Sequence, residues 1–340
     1  MGRVYKCPIC LLKILMQSQY LKITALLCFT ISFPLQAKFA IHNGLDALWH
    51  HHYQKAEQVF QTLGEQGNAH AMYWLGNTYQ LEGGMKRLDA GRILLRAAQM
   101  GDPWAMYRLT PDNGLSFCTI WPCSSKWKSK AVEGWEKLSR QGNGKATFSL
   151  MFHKEDTYWY RFTRWIPGMG QEKLNKIALK AFHQGYQGAA VYLFNHNKSA
   201  NLQYLIQAAK NNFIPAYAKL AIYYKEKNNV NLMNKYKNIA IQSGDMGFIK
   251  FLFYVYIQGN LGYNKDFNKA YYYGKITTLY GDNNISEAFG KNAPKEFSLS
   301  TKVAKDKQIV FTQKAKEFVR THPPYHYYDE FSFPFDVMDF

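Results

Sequence analysis

Gly67-Asn-Ala-His-Ala71-Met-Tyr-Trp-Leu75 and Gly101-Asp-Pro-Trp-Ala105-Met-Tyr-Arg-Leu109 share one frame, 34 residues apart. A turn residue is followed by a small or apolar residue four positions on and an apolar residue eight positions on. The frame recurs at Gly142/Ala146/Leu150, Gly185/Ala189/Leu193, Asn212/Ala216/Leu220 and Gly244/Phe248/Leu252, and in weaker form at Gly281/Ile285/Phe289. Eleven residues before the turn residue stands Ala56, Ala90, Ala131 or Ala270, with Leu174, Asn201 and Met233 in the other three units. Positions i, i+4 and i+8 share one face of a helix. Small residues on two antiparallel helices let their backbones approach closely, and Gly or Asn in the left-handed conformation ends the second helix.

The steps between turn residues run from 27 to 43 residues, the range of helical repeats. Strand signals are weak, and Asn113-Gly114 joins no pair of alternating runs. The expected fold is all-α: a right-handed α-α superhelix, or solenoid, of about seven helix pairs over residues 38–298, closed by a C-terminal capping helix over 299–320. Its Ser300 or Thr301 is a plausible cap. Insertions at 110–127 and 152–172 break the period. Each is either a loop on a binding face or a self-packed cover over an imperfect joint. The last segment, 321–340, is aromatic and acidic on a basic body, with Tyr325, Tyr327, Tyr328, Asp329, Glu330 and Phe331 in close succession. Its default reading is that it folds back into the solenoid's own groove, the alternative being that it hooks a partner.

Ala71-x-x-x-Leu75-Gly76-x-x-Tyr79 and Ala97-Ala98-x-x-Gly101 resemble the two helices of Sel-1-like repeats, relatives of tetratricopeptide repeats. Gly262-x-x-x-Asp266-x-x-Lys269-Ala270 resembles the loop and start of their second helix. The resemblance covers roughly residues 40–290, with units three to six degenerate. It implies an adaptor or binding protein, and many bacterial members are exported.

The formal charge is +18, which attracts acidic proteins, anionic lipid or nucleic acid. The lysines are scattered among Asn, Tyr and Gln and form no nucleic-acid-binding tail. Residues 1–37 carry no acid; Arg3, Lys6 and Lys13 precede an apolar stretch from Leu21 to Phe33 that has Lys22 near its start, followed by Pro34-Leu-Gln-Ala37. That is the layout of a secretory signal cut after Ala37, with Met16 as an alternative start. The apolar run is short for a membrane span, and an uncleaved anchor is the alternative. Periplasmic export is therefore expected. Cys7-x-x-Cys10 lies inside the signal. Cys118 and Cys123 remain, which in an oxidising compartment read as a local disulfide.

No catalytic set emerges, and no cofactor is expected. His50-His51-His52 cannot converge on one metal, because neighbouring helix residues point about 100° apart. No Gly-x-Ser-x-Gly elbow or phosphate-binding loop is present. Ser125-Lys126-Trp127-Lys128 is a Ser-x-x-Lys without the companion motifs of penicillin-recognising enzymes.

In the related tetratricopeptide geometry the first helix of each unit lines the concave face. Carried over, this exposes positions three, six and ten after each turn residue: His70, Tyr73, Asn77, Trp104, Tyr107, Lys145, Phe148, Phe152, Val191, Asn195, Lys250 and Tyr254. Aromatic rings beside lysines suit an acidic segment of a protein, helical or extended, and aromatic residues are frequent hot spots. The alternative is that these rings belong to the inter-repeat core. The functional expectation is a non-catalytic protein-binding protein of the periplasm, by analogy an immunity protein neutralising an exported antibacterial toxin of the type VI lipase kind. An envelope scaffold or signalling adaptor, or a β-lactam- or cell-wall-interacting enzyme, are the other readings.

Overall fold

The structure, a computed structural model, describes residues 41–111, 118–155, 169–281 and 299–331. The chain returns on itself as seven helix pairs among those residues. They are α1 (41–49) with α2 (Tyr53–Glu65), α3 (Ala69–Glu82) with α4 (Lys86–Gln99), and α5 (Pro103–Arg108) with α6 (Lys126–Arg140). Next come α7 (Gly144–Glu155) with α8 (Met169–His183), and α9 (Gly188–His196) with α10 (Lys198–Lys210). The last two pairs are α11 (Ile214–Glu226) with α12 (Val230–Gln242), and α13 (Met246–Gln258) with α14 (Phe267–Leu279). Helix contacts run mainly from each element to the next, as nearest-neighbour stacking in a solenoid requires.

The repeat frame accounts for this order. Each of the seven turn residues has positive φ, from 58° at Asn212 to 101° at Gly101. The residues four after the turn in the first six units, Ala71, Ala105, Ala146, Ala189, Ala216 and Phe248, are completely enclosed. So are Ala56, Ala90, Ala131 and Ala270 on the second helices. Close approach is the result: a Cβ on Gly76 of α3 would stand 2.8 Å from Leu94 Cγ and 3.3 Å from the Ala90 carbonyl of α4. The seventh unit's Ile285 and Phe289 lie outside the described residues, as do residues 1–37, where a signal is expected from the sequence.

Immediately after the turn, four units cap their next helix. Asn68, Asp102, Asn143 and Asp245 accept from the N–H of Ala71, Ala105, Ala146 and Phe248, at 2.7–3.0 Å. Each supplies an acceptor to one of the four N–H groups that a helix start leaves unpaired. After Gly185 and Asn212 the same place is held by Tyr186 and Phe213, which make no such cap.

Three boundaries differ from the sequence reading. The capping helix starts at Lys305, not at Ser300 or Thr301. A short turn, α15 (Leu299–Lys302), precedes α16 (Lys305–Thr321). Extended backbone at Ala304 (ψ 143°) separates them, and the Gln308 side chain donates to the Val303 carbonyl at 2.7 Å. Ile249, Ile276, Tyr280, Ala315 and Phe318 then bury the open end of the stack. At the second insertion, residues 152–155 continue α7 and 169–172 open α8, so its irregular part is shorter than 152–172. In the first insertion, α6 begins at Lys126, inside 110–127. The loop packs inward: Trp121 donates to the Arg87 carbonyl at 3.0 Å and lies so near α4 that a Cβ on Gly91 would meet it at 2.4 Å. This is a cover over a joint, which also brings the sulfurs of Cys118 and Cys123 to 2.05 Å.

Among the described residues no helix is long and apolar enough to cross a membrane.

Candidate functional site

Beyond α16 the chain turns back across the first helices of the pairs, meeting Trp49, His70, Lys145, Phe213 and Asp245. Tyr280 donates to the His322 carbonyl at 2.6 Å, and Tyr325 forms a parallel bridge with Asp245. In that bridge the Tyr325 N–H reaches the Gly244 carbonyl at 2.9 Å and the Met246 N–H reaches the Tyr325 carbonyl at 3.0 Å. One residue on, the His326 N–H donates to the Trp49 carbonyl at 2.7 Å, and Trp49 Nε1 donates to the Tyr328 carbonyl at 2.8 Å. The tail thus straps the first helix pair to the start of the last.

Side chains of the groove hold Tyr327, Asp329 and Phe331. The Tyr327 ring lies between Trp49 and Phe213, with centroids at 5.4 and 5.0 Å. Asp329 accepts from the Tyr186 hydroxyl at 2.6 Å. Phe331 packs at 5.0 Å from Phe148 and 5.5 Å from Tyr186.

Glu330 sits at the centre of the cluster. Its side chain is 1% exposed and meets Lys145 Nζ at 2.7 Å and His70 Nε2 at 3.0 Å. His70 Nδ1 is 2.8 Å from Asp102 Oδ2. A ring nitrogen aimed at a carboxylate on each side favours a proton on both, the imidazolium form, while the Trp74 indole N–H also points at Nε2, at 3.2 Å. Burial lowers its pKa, but Asp102 and Glu330 overcome that and raise it to about 9. Burial likewise raises the Glu330 carboxyl, and Lys145 and His70 overcome it, bringing it down to about 2. Burial, reinforced by Asp329, holds the phenols of Tyr186 and Tyr327 well above their ordinary value. Asp102 serves two neighbours at once: Oδ1 caps α5 and Oδ2 holds His70.

The concave positions read from the sequence divide. His70, Lys145 and Phe148 meet the tail. Trp104 lies beside them, its ring 4.9 Å from His70, and donates to Ser149 at 2.9 Å. Tyr73, Asn77, Trp104, Phe148 and Val191 were expected to be exposed and are instead buried. Tyr73 stacks on His70 at 5.5 Å, and the tail roofs this part of α3. Tyr107 packs on Trp135. Asn195 and Tyr254 are exposed on α9 and α13, and Lys250 is half-buried on α13. The side chain of Phe152 lies outside the described residues.

Tyr186, Phe213, Trp49 and Asp102 are not among the binding positions expected from the sequence. The first two carry a signal there: each takes the place after a turn residue where the five other units carry Asn or Asp. The histidine run packs against the tail. His50 lies against Tyr325 and His51 near His326, with burial, then the neighbouring histidines, lowering His51 to about 4. Ser125 is exposed at the start of α6.

No protein-family profile matches the chain, and no curated protein matches it. Solved structures do. One is a protective antigen present in uropathogenic Escherichia coli strains, displaying an SLR fold, at 14% identity and a TM-score of 0.44. The alignment covers 79% of this chain and 56% of that one, so the chain spans little more than half of it. Another is a Sel1 repeat protein from Oxalobacter formigenes, at 17% identity and a TM-score of 0.40, covering 70% of this chain and 99% of that one. The likeness is one of fold, and the assignment as an all-α solenoid rests on the helix pairs described above.

Proposed function

We propose that this is a non-catalytic, exported protein-binding repeat protein whose concave groove recognises an extended acidic segment of another protein. One observation carries the reading. The groove already holds an extended acidic and aromatic strand, with a buried carboxylate between Lys145 and His70 and a second one on Tyr186. Charge-assisted hydrogen bonds of this sort are strong and directional. A surface shaped to receive them from one strand suits another strand of like chemistry.

Export to the periplasm is part of the proposal, supported by the signal-like segment 1–37, with Cys118 and Cys123 oxidised there. Its most specific form is immunity, in which the groove seals the active surface of an antibacterial toxin. The test is co-purification from periplasm with full-length wild type and Lys145→Glu. A protein recovered in stoichiometric amount with wild type and lost with Lys145→Glu supports the reading. A partner retained undiminished by the variant removes the groove from the account. Protection of cells against the toxin of a neighbouring gene tests immunity itself.

A further inference from the structure

Tail residues Tyr325–Phe331 fill the surface on which the proposed partner would have to sit. We infer that they are a built-in pseudo-ligand, and that the partner presents the same order of groups in an extended segment: an aromatic ring, two consecutive acids, then a second ring. Binding then requires the tail to leave. This deepens the protein-binding reading of the groove and rests on it.

Four features separate a displaceable ligand from a structural plug. First, the tail's backbone hydrogen bonds to the body cluster at Tyr325, His326 and Tyr328, while Tyr327, Asp329, Glu330 and Phe331 are read by side-chain pockets. Such pockets accept the same groups from any extended chain, as in other modes of strand recognition. Second, a closing strap needs only apolar filler, yet here a carboxylate is buried against two cations. Burying ion pairs is costly relative to hydrophobic packing, and specificity or switching is the best-attested use of such pairs. Third, Tyr186 and Phe213 occupy places where four sibling units carry a side-chain helix cap; here their backbone carbonyls take the N–H groups of Ala189 and Ala216, and their side chains hold Asp329 and Tyr327. Fourth, the tail leaves the groove floor incompletely satisfied. The Tyr73 hydroxyl, within electrostatic reach of Glu330, and the neighbouring Asn77 amide are enclosed with no hydrogen-bond partner meeting normal geometry among the described residues. A foreign segment that offers them hydrogen bonds gains over the tail.

Competition gives the expected size of the effect. A ligand's apparent affinity falls in proportion to the fraction of groove left open, so loosening the tail tightens binding from outside. The probe is a fluorescein-labelled peptide of residues 325–331, Tyr-His-Tyr-Tyr-Asp-Glu-Phe, titrated into full-length proteins with tail substitutions only. Asp329→Ala/Glu330→Ala loosens the tail through its charges, and Tyr327→Ala/Phe331→Ala through its rings. Helicity by circular dichroism checks that each is folded, and the second stands in should the first not be. The peptide is expected to bind the loosened variants at least about tenfold more tightly than wild type. Adding Lys145→Glu is expected to abolish that gain.

No binding to either folded variant overturns the proposal. Dimerisation of the variants in place of peptide binding, with tails exchanged between copies, also overturns it. If a groove-dependent partner is captured equally by wild type and loosened variants, the pseudo-ligand idea fails while the proposed function stands. If the peptide binds but no partner depends on Lys145, the proposed function fails and the pseudo-ligand stands.

Discussion

Two kinds of repeat junction stand side by side in this molecule. At Gly67, Gly101, Gly142 and Gly244 the residue after the turn is Asn or Asp, and its side chain caps the next helix. At Gly185 and Asn212 it is Tyr or Phe, and its ring serves the tail. Both kinds build the same turn, with φ of 93° at Gly185 and 58° at Asn212 against 91° at Gly67. One backbone position can therefore go to local helix stability or to holding a strand across the first helices of the pairs. Asp102 shows that the two uses are compatible when the residue has two oxygens to give.

The largest expected effect comes from breaking the charge cluster. Lys145→Ala leaves the Glu330 carboxylate buried with His70 as its remaining cation, and losing one partner of a buried pair costs about 3 kcal/mol. The tail should undock while the helix stack persists, which hydrogen exchange read segment by segment would show.

Acidity and alkalinity reach the same cluster from opposite sides. The value for His70, about 9, lies above its ordinary 6.5. Its contribution is complete below pH 6.5 and is lost as pH rises through about 9. The value for Glu330, about 2, lies below its ordinary 4.5. Its contribution is complete above pH 4.5 and is lost as pH falls through about 2. Tail docking should be strongest between pH 4.5 and 6.5 and weaken toward pH 9, a trend that Tyr73→Phe leaves in place and His70→Gln removes above neutrality.

Asn68→Ala deletes a cap and should lower stability by about 1 kcal/mol, measured by urea unfolding, with tail protection unchanged. Tyr186→Asn removes a buried ring from the core together with the hydroxyl that Asp329 accepts from, so stability should fall by about 3 kcal/mol as the tail loosens. Equal loosening by Asn68→Ala and Tyr186→Asn would erase the distinction between the junctions.

The repeat was legible because it is a packing rule. Alanines that must be enclosed and glycines that must turn leave a spacing in the chain, and Asn212 fitted that frame without being Gly. The capping helix was legible as an element but not at its start. Ser300 and Thr301 look like caps, whereas the helix begins after extended Ala304 with no capping side chain. The groove was half legible. His70, Lys145 and Phe148 sit at the offset of three or six, but the exposure expected of Tyr73 and Asn77 did not allow for a roof laid down by residues some 250 positions later. Tyr186 and Phe213 escape the frame because the fourth and eighth places after the turn define it, not the first. A missing cap becomes informative only when the capped units are lined up beside it.

Residues 325–331 lie docked across the first helices of the pairs. Hydrogen exchange of the full-length protein reads this docking directly through the amides of Tyr325, His326 and Met246, which are hydrogen-bonded only if the tail is in place. These three should be strongly protected in wild type and lose that protection together in Lys145→Ala. Exchange of the Tyr325 and His326 amides at free-chain rates in wild type, with α13 and its neighbours still protected, would contradict it.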